Sequence, residues 1–229
     1  MKLVIVSNVE IDAMEKKIIL LFGSIKNKNV NKPIINNFPF DINKNNGKCA
    51  KLIKISPIQE TYALNIYWQI PNTDQYYDIK PLEYLSFLLG HESQGSIYYN
   101  LKQTGLCSYL SSSIIDQDSS FHLFGMSMEL TKEGFENIPS IIECVYDYIN
   151  IIKKNGIKEW IYNEIKQMSN INFNYLTYGN KIDFAAELSM NMLKYNISDV
   201  IYGTYKFKNY DATVKKIISK HLEYLNKDN

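Results

Sequence analysis

The only histidines are His91, His122 and His221, and no two lie within a helical turn of each other. A helical metal site needs its imidazoles on one face a few residues apart, so His91-Glu92 alone is not a metal site. His122 stands in the alternating run Phe121–Leu130, on the side of Phe124, Met126, Met128 and Leu130, and reads as a half-buried sheet histidine. His221, beside Ile217, Ile218 and Leu225, reads as a helix-edge residue with a solvated tip. Cys49, Cys107 and Cys144 are widely spaced, form no CxxC pair and have no evident base partner, which fits reduced thiols. Ser111-Ser112-Ser113 lacks a nucleophile elbow, and Gly95 and Gly105 are too isolated for a phosphate loop.

What these residues do allow is recognition of a peptide. A strand carrying the small residues of Leu110-Ser111-Ser112-Ser113 can leave its main-chain groups open to an added extended segment. Glu92 comes close if the turn after its helix folds back over that strand. Its carboxylate would then pair with a peptide's α-ammonium group, which is positive at neutral pH. Each residue also has a structural alternative. Glu92 could bond the backbone N–H groups of the 93–97 turn, Gly90 could be a helix stop with positive φ, and Ser111–Ser113 a sheet edge protected by its polarity.

The elements that must position these residues are legible from periodicity. Residues 2–7 form an apolar run suited to a strand, and Asn8 can cap a helix with Ile11, Met14, Ile18, Leu21 and Phe22 on one face. Residues 23–47, with Gly23, Pro33, Pro39 and Gly47 among Asn and Lys, read as a linker. Lys51–Ile58 and Thr61–Ile70 read as strands, the second with Tyr62, Leu64, Ile66 and Trp68 on one face. Pro81 opens a helix whose Leu82, Leu85, Leu88 and Leu89 face one way. Ser96 starts the next helix and Gly105 stops it. Leu106–Ile115 and Ser120–Leu130 read as a hairpin turning at Asp116-Gln117-Asp118. Thr131 caps a long helix with Phe135, Ile138, Ile142, Val145, Ile149 and Ile152 inward, up to Gly156. A helix over 157–170 points Trp160, Ile161, Ile165 and Met168 inward, and two more cover 183–195 and 211–225. The order predicts a layered α/β (α+β) fold.

Composition narrows the partners. Twenty-five basic against 24 acidic residues give no bulk attraction to nucleic acid or membrane. No run approaches the roughly 18 apolar residues that span a bilayer, and the N-terminus is too short for a signal-peptide core. A cytoplasmic protein is the expectation.

The segment Glu83–Ile97, running on to Leu101-Lys102-Gln103-Thr104-Gly105-Leu106, closely resembles the second domain of the pitrilysin/insulinase family of zinc metallopeptidases. Further similar stretches are Glu129-Leu130-Thr131-Lys132-Glu133-Gly134, Gly156-Ile157-Lys158-Glu159-Trp160 with Glu164, Asn172-Phe173-Asn174-Tyr175, and Met1–Val6. The resemblance extends over nearly all of the chain. It implies a metallopeptidase-family (LuxS/MPP-like) domain with a mixed, mainly antiparallel sheet covered by helices, one of four that enclose a chamber. It implies that zinc sits in the preceding domain on a His-x-x-Glu-His helix, with no cofactor in this segment. Residues 1–25 would be the final strand and helix of that zinc domain and 26–47 a linker. Residues 48–229 would be a non-catalytic second domain cut before its last strand, whose slot Met1–Ser7 could fill.

By the same resemblance the second domain carries a substrate-binding exosite that grips a peptide's N-terminal end by strand addition. Gly90 and Glu92 match the glycine and glutamate of that site, and Leu110 its leucine on the receiving strand, with Ser111 beside it. Ser112 stands where the family has a glycine and Ile114 where it has a substrate-contacting glutamine. Phe87 and Glu83 each replace a histidine. The implied partners are a peptide substrate and other domains of the same polypeptide, and a homodimer of the full-length protein is allowed. Three readings follow: the anchoring domain of a zinc metalloendopeptidase, a segment of an inactive scaffold or processing-subunit member, and a free-standing peptide-binding module. Closeness to the insulinase-like members favours the first.

Overall fold

Three antiparallel strands organise the molecule: β1 (Ala63–Pro71), β2 (Cys107–Gln117) and β3 (Phe121–Leu130), in the order β1-β3-β2. The computed structural model describes residues 2–31, 51–177 and 179–229. Among them β1 and β2 are the sheet edges, and β3 pairs with both. Opposite Leu64 and Trp68 of β1 stand Met128 and Phe124 of β3, and opposite those stand Leu110 and Ile114 of β2. This row, with Ile70, Met126 and Leu130, makes one buried face, of which Ile114 is only partly covered. On the other face Tyr67, Tyr109 and Ile115 remain exposed. Burial on one face only explains the period-two pattern of the strands.

Helices cover the apolar face. They are α2 (Pro81–Leu89), α3 (Ile97–Gln103), α5 (Ile138–Asn155), α6 (Glu159–Asn174) and α8 (Ala212–Leu222), which share one core with the sheet. Trp68 of β1 meets Tyr146 of α5 edge-on at 6.3 Å. Leu82, Leu85 and Leu89 of α2 are fully buried, each worth about 1.5–3 kcal/mol of hydrophobic stabilisation. Local signals behave as the sequence predicts around α3: the Ser96 hydroxyl accepts from the Tyr99 N–H at 3.1 Å, and Gly105 turns out of the helix at φ 73°.

Several expectations are corrected. Residues 2–7 form no strand and reach neither sheet edge, with Leu3, Ile5 and Val6 exposed, so they do not fill a vacant strand slot. A strand exists by pairing, and an apolar run without a neighbour stays extended. For the same reason Lys51–Ile58 is not a strand, and Leu52, Ile53, Ile55 and Ile58 are exposed. Helix α1 (Ile11–Phe22) follows Glu10 without a side-chain cap and buries no residue. Positions 32–47 of the linker, and Cys49, lie outside the described residues.

The helix after Thr131 is two: α4 (Lys132–Glu136) and α5 part at Asn137, just before Pro139. Proline has no N–H to continue the ladder, so the chain restarts. In α5 the most buried stripe is Ile141, Val145 and Ile149, and Phe135 is exposed. In α6 Trp160 and Met168 point to solvent, while Ile161, Tyr162 and Ile165 are buried. β2 continues to Gln117, so the hairpin turns two residues later, where the Asp118 carboxylate accepts from the Ser120 N–H and hydroxyl. The expected helices at 183–195 and 211–225 are α7 (Lys181–Lys194) and α8.

Candidate functional site

The C-terminal end of α2 presses against the edge of β2. Ser86, Phe87 and Gly90, with His91-Glu92-Ser93 of the following turn, face Tyr109–Ser112 across a cleft of about 420 Å³. Gly90 is not a left-handed stop, for its φ is −91°. Its reason is proximity: a Cβ there would lie 3.0 Å from the Ser86 carbonyl oxygen and 3.3 Å from the Ser112 nitrogen. The Ser86 hydroxyl donates to the Ser112 carbonyl and ties helix to strand.

That bond reveals which way the strand faces. A carbonyl engaged by α2 points away from β3, and the register is unbroken from Tyr109 to Ile114. Alternation along an antiparallel ladder therefore turns the main-chain groups of Leu110 to the same outer edge and those of Ser111 inward to Ser127 of β3. Further along, the Ser108 carbonyl accepts from the Tyr98 hydroxyl at 3.0 Å. The edge is thus tied to helices at Ser108 and Ser112, with Leu110 between, its own side chain buried.

Glu92 is exposed and makes no hydrogen bond or ion pair among the described residues. The local bonding open to it is not used; the Ser96 N–H goes instead to the Ser93 carbonyl at 3.0 Å. Beside it the rings of Phe87 and His91 stand 5.3 Å apart. Five of the predicted site residues, Gly90, Glu92, Leu110, Ser111 and Ser112, thus line one cleft. Ile114 does not; it borders a second, smaller cavity of about 70 Å³ at the other end of α2. Ser86 and Tyr109 were missed, since nothing local marks a mid-helix serine or a strand tyrosine as neighbours of that cleft.

The second cavity gathers more charge. His122 of β3 is buried, its Nδ1 3.1 Å from the Thr73 hydroxyl and its Nε2 3.6 Å from the Asp74 carboxylate. The His122 ring beside it, and then the hydrogen bond that Asn72 donates at 3.0 Å, hold the Asp74 carboxyl down at about 2. Lys80, at φ 53°, is buried with its ammonium 3.9 Å from Glu83, and burial pushes its pKa down. His221 is also buried, contrary to the solvated tip expected of it: Nδ1 lies 2.7 Å from the Ile217 carbonyl and Tyr76 meets the ring edge-on at 5.6 Å. Burial lowers its pKa. Among the described residues no three His, Cys, Asp or Glu side chains converge on a point that could hold a metal ion. No described helix is long and apolar enough to cross a membrane.

Sheet, helical cover and a helix end seated on an open strand edge define a layered α/β domain whose features lie in its main chain. Its fold matches the crystal structure of pitrilysin with a TM-score of 0.82 at 19% identity, over 97% of this chain and 23% of that one. It also matches a protease from Helicobacter pylori with a TM-score of 0.61 at 14% identity, over 96% of this chain and 51% of that one. In sequence, residues 1–169 match the family model described as the peptidase M16 inactive domain. The chain is 34% identical to a nardilysin-like protein of Arabidopsis thaliana, over 92% of this chain and 20% of that protein. It is 30% identical to nardilysin of Homo sapiens, over 89% of this chain and 18% of that protein. The chain belongs to the peptidase M16 family, the pitrilysin/insulinase metallopeptidases. It spans about a fifth of the length of these curated relatives.

Proposed function

We propose that this domain is a substrate-anchoring exosite of an M16 zinc metalloendopeptidase, holding a peptide's N-terminal end while cleavage takes place elsewhere. The observation that carries the reading is the cleft itself, where the free carboxylate of Glu92 and the outward main-chain groups of Leu110 share one space. A peptide added to β2 there gains main-chain hydrogen bonds that do not depend on its sequence, and its ammonium meets Glu92. Gly90 and Ser112 supply the room, Ser86 steadies the strand, and Ser111 borders the cleft with its side chain.

Anchoring raises the effective concentration of the scissile bond at a metal without any catalytic group in this domain. In this proposal zinc belongs to a preceding domain of which residues 1–25 are the tail, 26–47 are a linker, and 48–229 are the anchoring domain. The substrate is a peptide degraded in an enclosed chamber, and the other partners are domains of the same cytoplasmic polypeptide. Calorimetric titration of the chain with one flexible peptide, free and then acetylated at its N-terminus, tests the reading. Tighter binding of the free amine is expected. Equal binding of both forms removes the role of Glu92, and binding of neither removes the exosite.

A further inference from the structure

We infer that the cleft selects peptides with an aromatic residue at the first or second position; this rests on the exosite reading and concerns what that site prefers. A segment added to β2 places successive side chains on alternate faces of the sheet. On the helix side the cleft is lined by the rings of Phe87, half-buried, and His91, which stand 5.3 Å apart. On the opposite face stands the ring of Tyr109, which precedes Leu110 and is 48% exposed. Either register of the guest therefore brings one of its first two side chains onto an aromatic surface. Tyr109 packs outside the buried core, whereas Phe87 is partly buried against it and offers the cleft only part of its ring.

Charge narrows the choice further. Among the described residues no lysine or arginine lines the cleft, and the carboxylate there is that of Glu92. An acidic side chain at either position stands close to the Glu92 carboxylate and meets repulsion from it. Aromatic pairs contribute roughly 0.5–1.5 kcal/mol beyond burial, up to about a tenfold preference.

The test titrates the chain with three peptides that share a flexible tail and carry Phe, Ser or Glu at position two, each free and N-acetylated. A second set moves the variable residue to position one. The expected result is binding of the Phe peptide about tenfold tighter than Ser in one set, with Glu weakest. Tyr109→Ser or Phe87→Leu, whichever ring the preferred register uses, should reduce that ratio and leave the free-over-acetylated preference intact. Tyr109→Ser alters an exposed side chain, so it reads out even if Phe87→Leu perturbs folding. Equal binding of Phe and Ser peptides in both sets, with the amine preference retained, overturns the aromatic selection alone. A ratio unchanged in both variants overturns its location. No binding by any peptide overturns the exosite and this inference together.

Discussion

The two ends of α2 meet β2 and β3 in opposite ways. At the N-terminal end Lys80, Glu83, Asp74, Thr73 and His122 crowd a small cavity and largely engage one another. At the C-terminal end the cleft is larger and chemically plainer, lined among the described residues by the free carboxylate of Glu92, the rings of Phe87, His91 and Tyr109, and an open stretch of strand. The first has the residue types that suggest chemistry, yet their interactions are internal. Availability, more than residue type, separates the charged cluster from the proposed docking surface.

Substitutions can break that contrast. Gly90→Val should have the largest effect, because its side chain must enter a gap already down to 3.3 Å from the Ser112 nitrogen. Overpacking of this kind costs about 1–3 kcal/mol. Peptide binding is expected to fall by tenfold or more as the helix end lifts off the strand, read by calorimetry alongside urea denaturation. Unchanged binding would mean the close approach is incidental. Glu92→Gln should come next. A solvated ion pair is worth up to about 1 kcal/mol, so binding of free-amine peptides should weaken by about fivefold or less while acetylated ones are unaffected. Stability should not change, as the carboxylate has no partner to lose among the described residues.

The charged end, and His221 packed against its Tyr76, should answer to pH instead. The His221 pKa is lowered in the folded state, so its contribution is complete above its ordinary value of 6.5 and is lost as pH falls below it. His221→Phe keeps a ring against Tyr76, and denaturation midpoints should then lose their slope just below pH 6.5. Asp74 is likewise depressed, from 3.8 to about 2, so its contribution is present above pH 3.8 and is lost as pH falls through 2. Asp74→Asn should flatten the acid limb in that window. Because Asp74 is half-exposed, this is the smallest effect of the series. A change of peptide affinity in either variant would show that the two ends of α2 are coupled.

The sequence was most readable where a residue acts on its immediate neighbours. Ser96 and Gly105 delimit α3, and Pro81 opens α2, because caps and breaks are decided within four residues. It was least readable where apolar residues had to find partners. Trp160 looked like core and is solvent-facing, whereas His221 looked solvated and is enclosed by Tyr76 from a distant turn. Residues 2–7 and 51–58 have strand-like composition but no strand beside them. The break at Asn137 had a visible cause in Pro139, which an otherwise helical apolar period masked.

By itself the sequence determined the order of the three paired strands and most of the helices around them, the small residues on β2, and a Gly-His-Glu turn at the end of an apolar helix. Those follow from backbone preferences and periodicity, which are local. Only the tertiary structure decided that β2 lies at the edge of the sheet, that α2 ends against it at Ser112, and that Ile114 belongs to the other cavity. Strand order and helix docking are set by contacts between residues far apart in sequence, and a hydrogen-bonding edge has no residue code of its own.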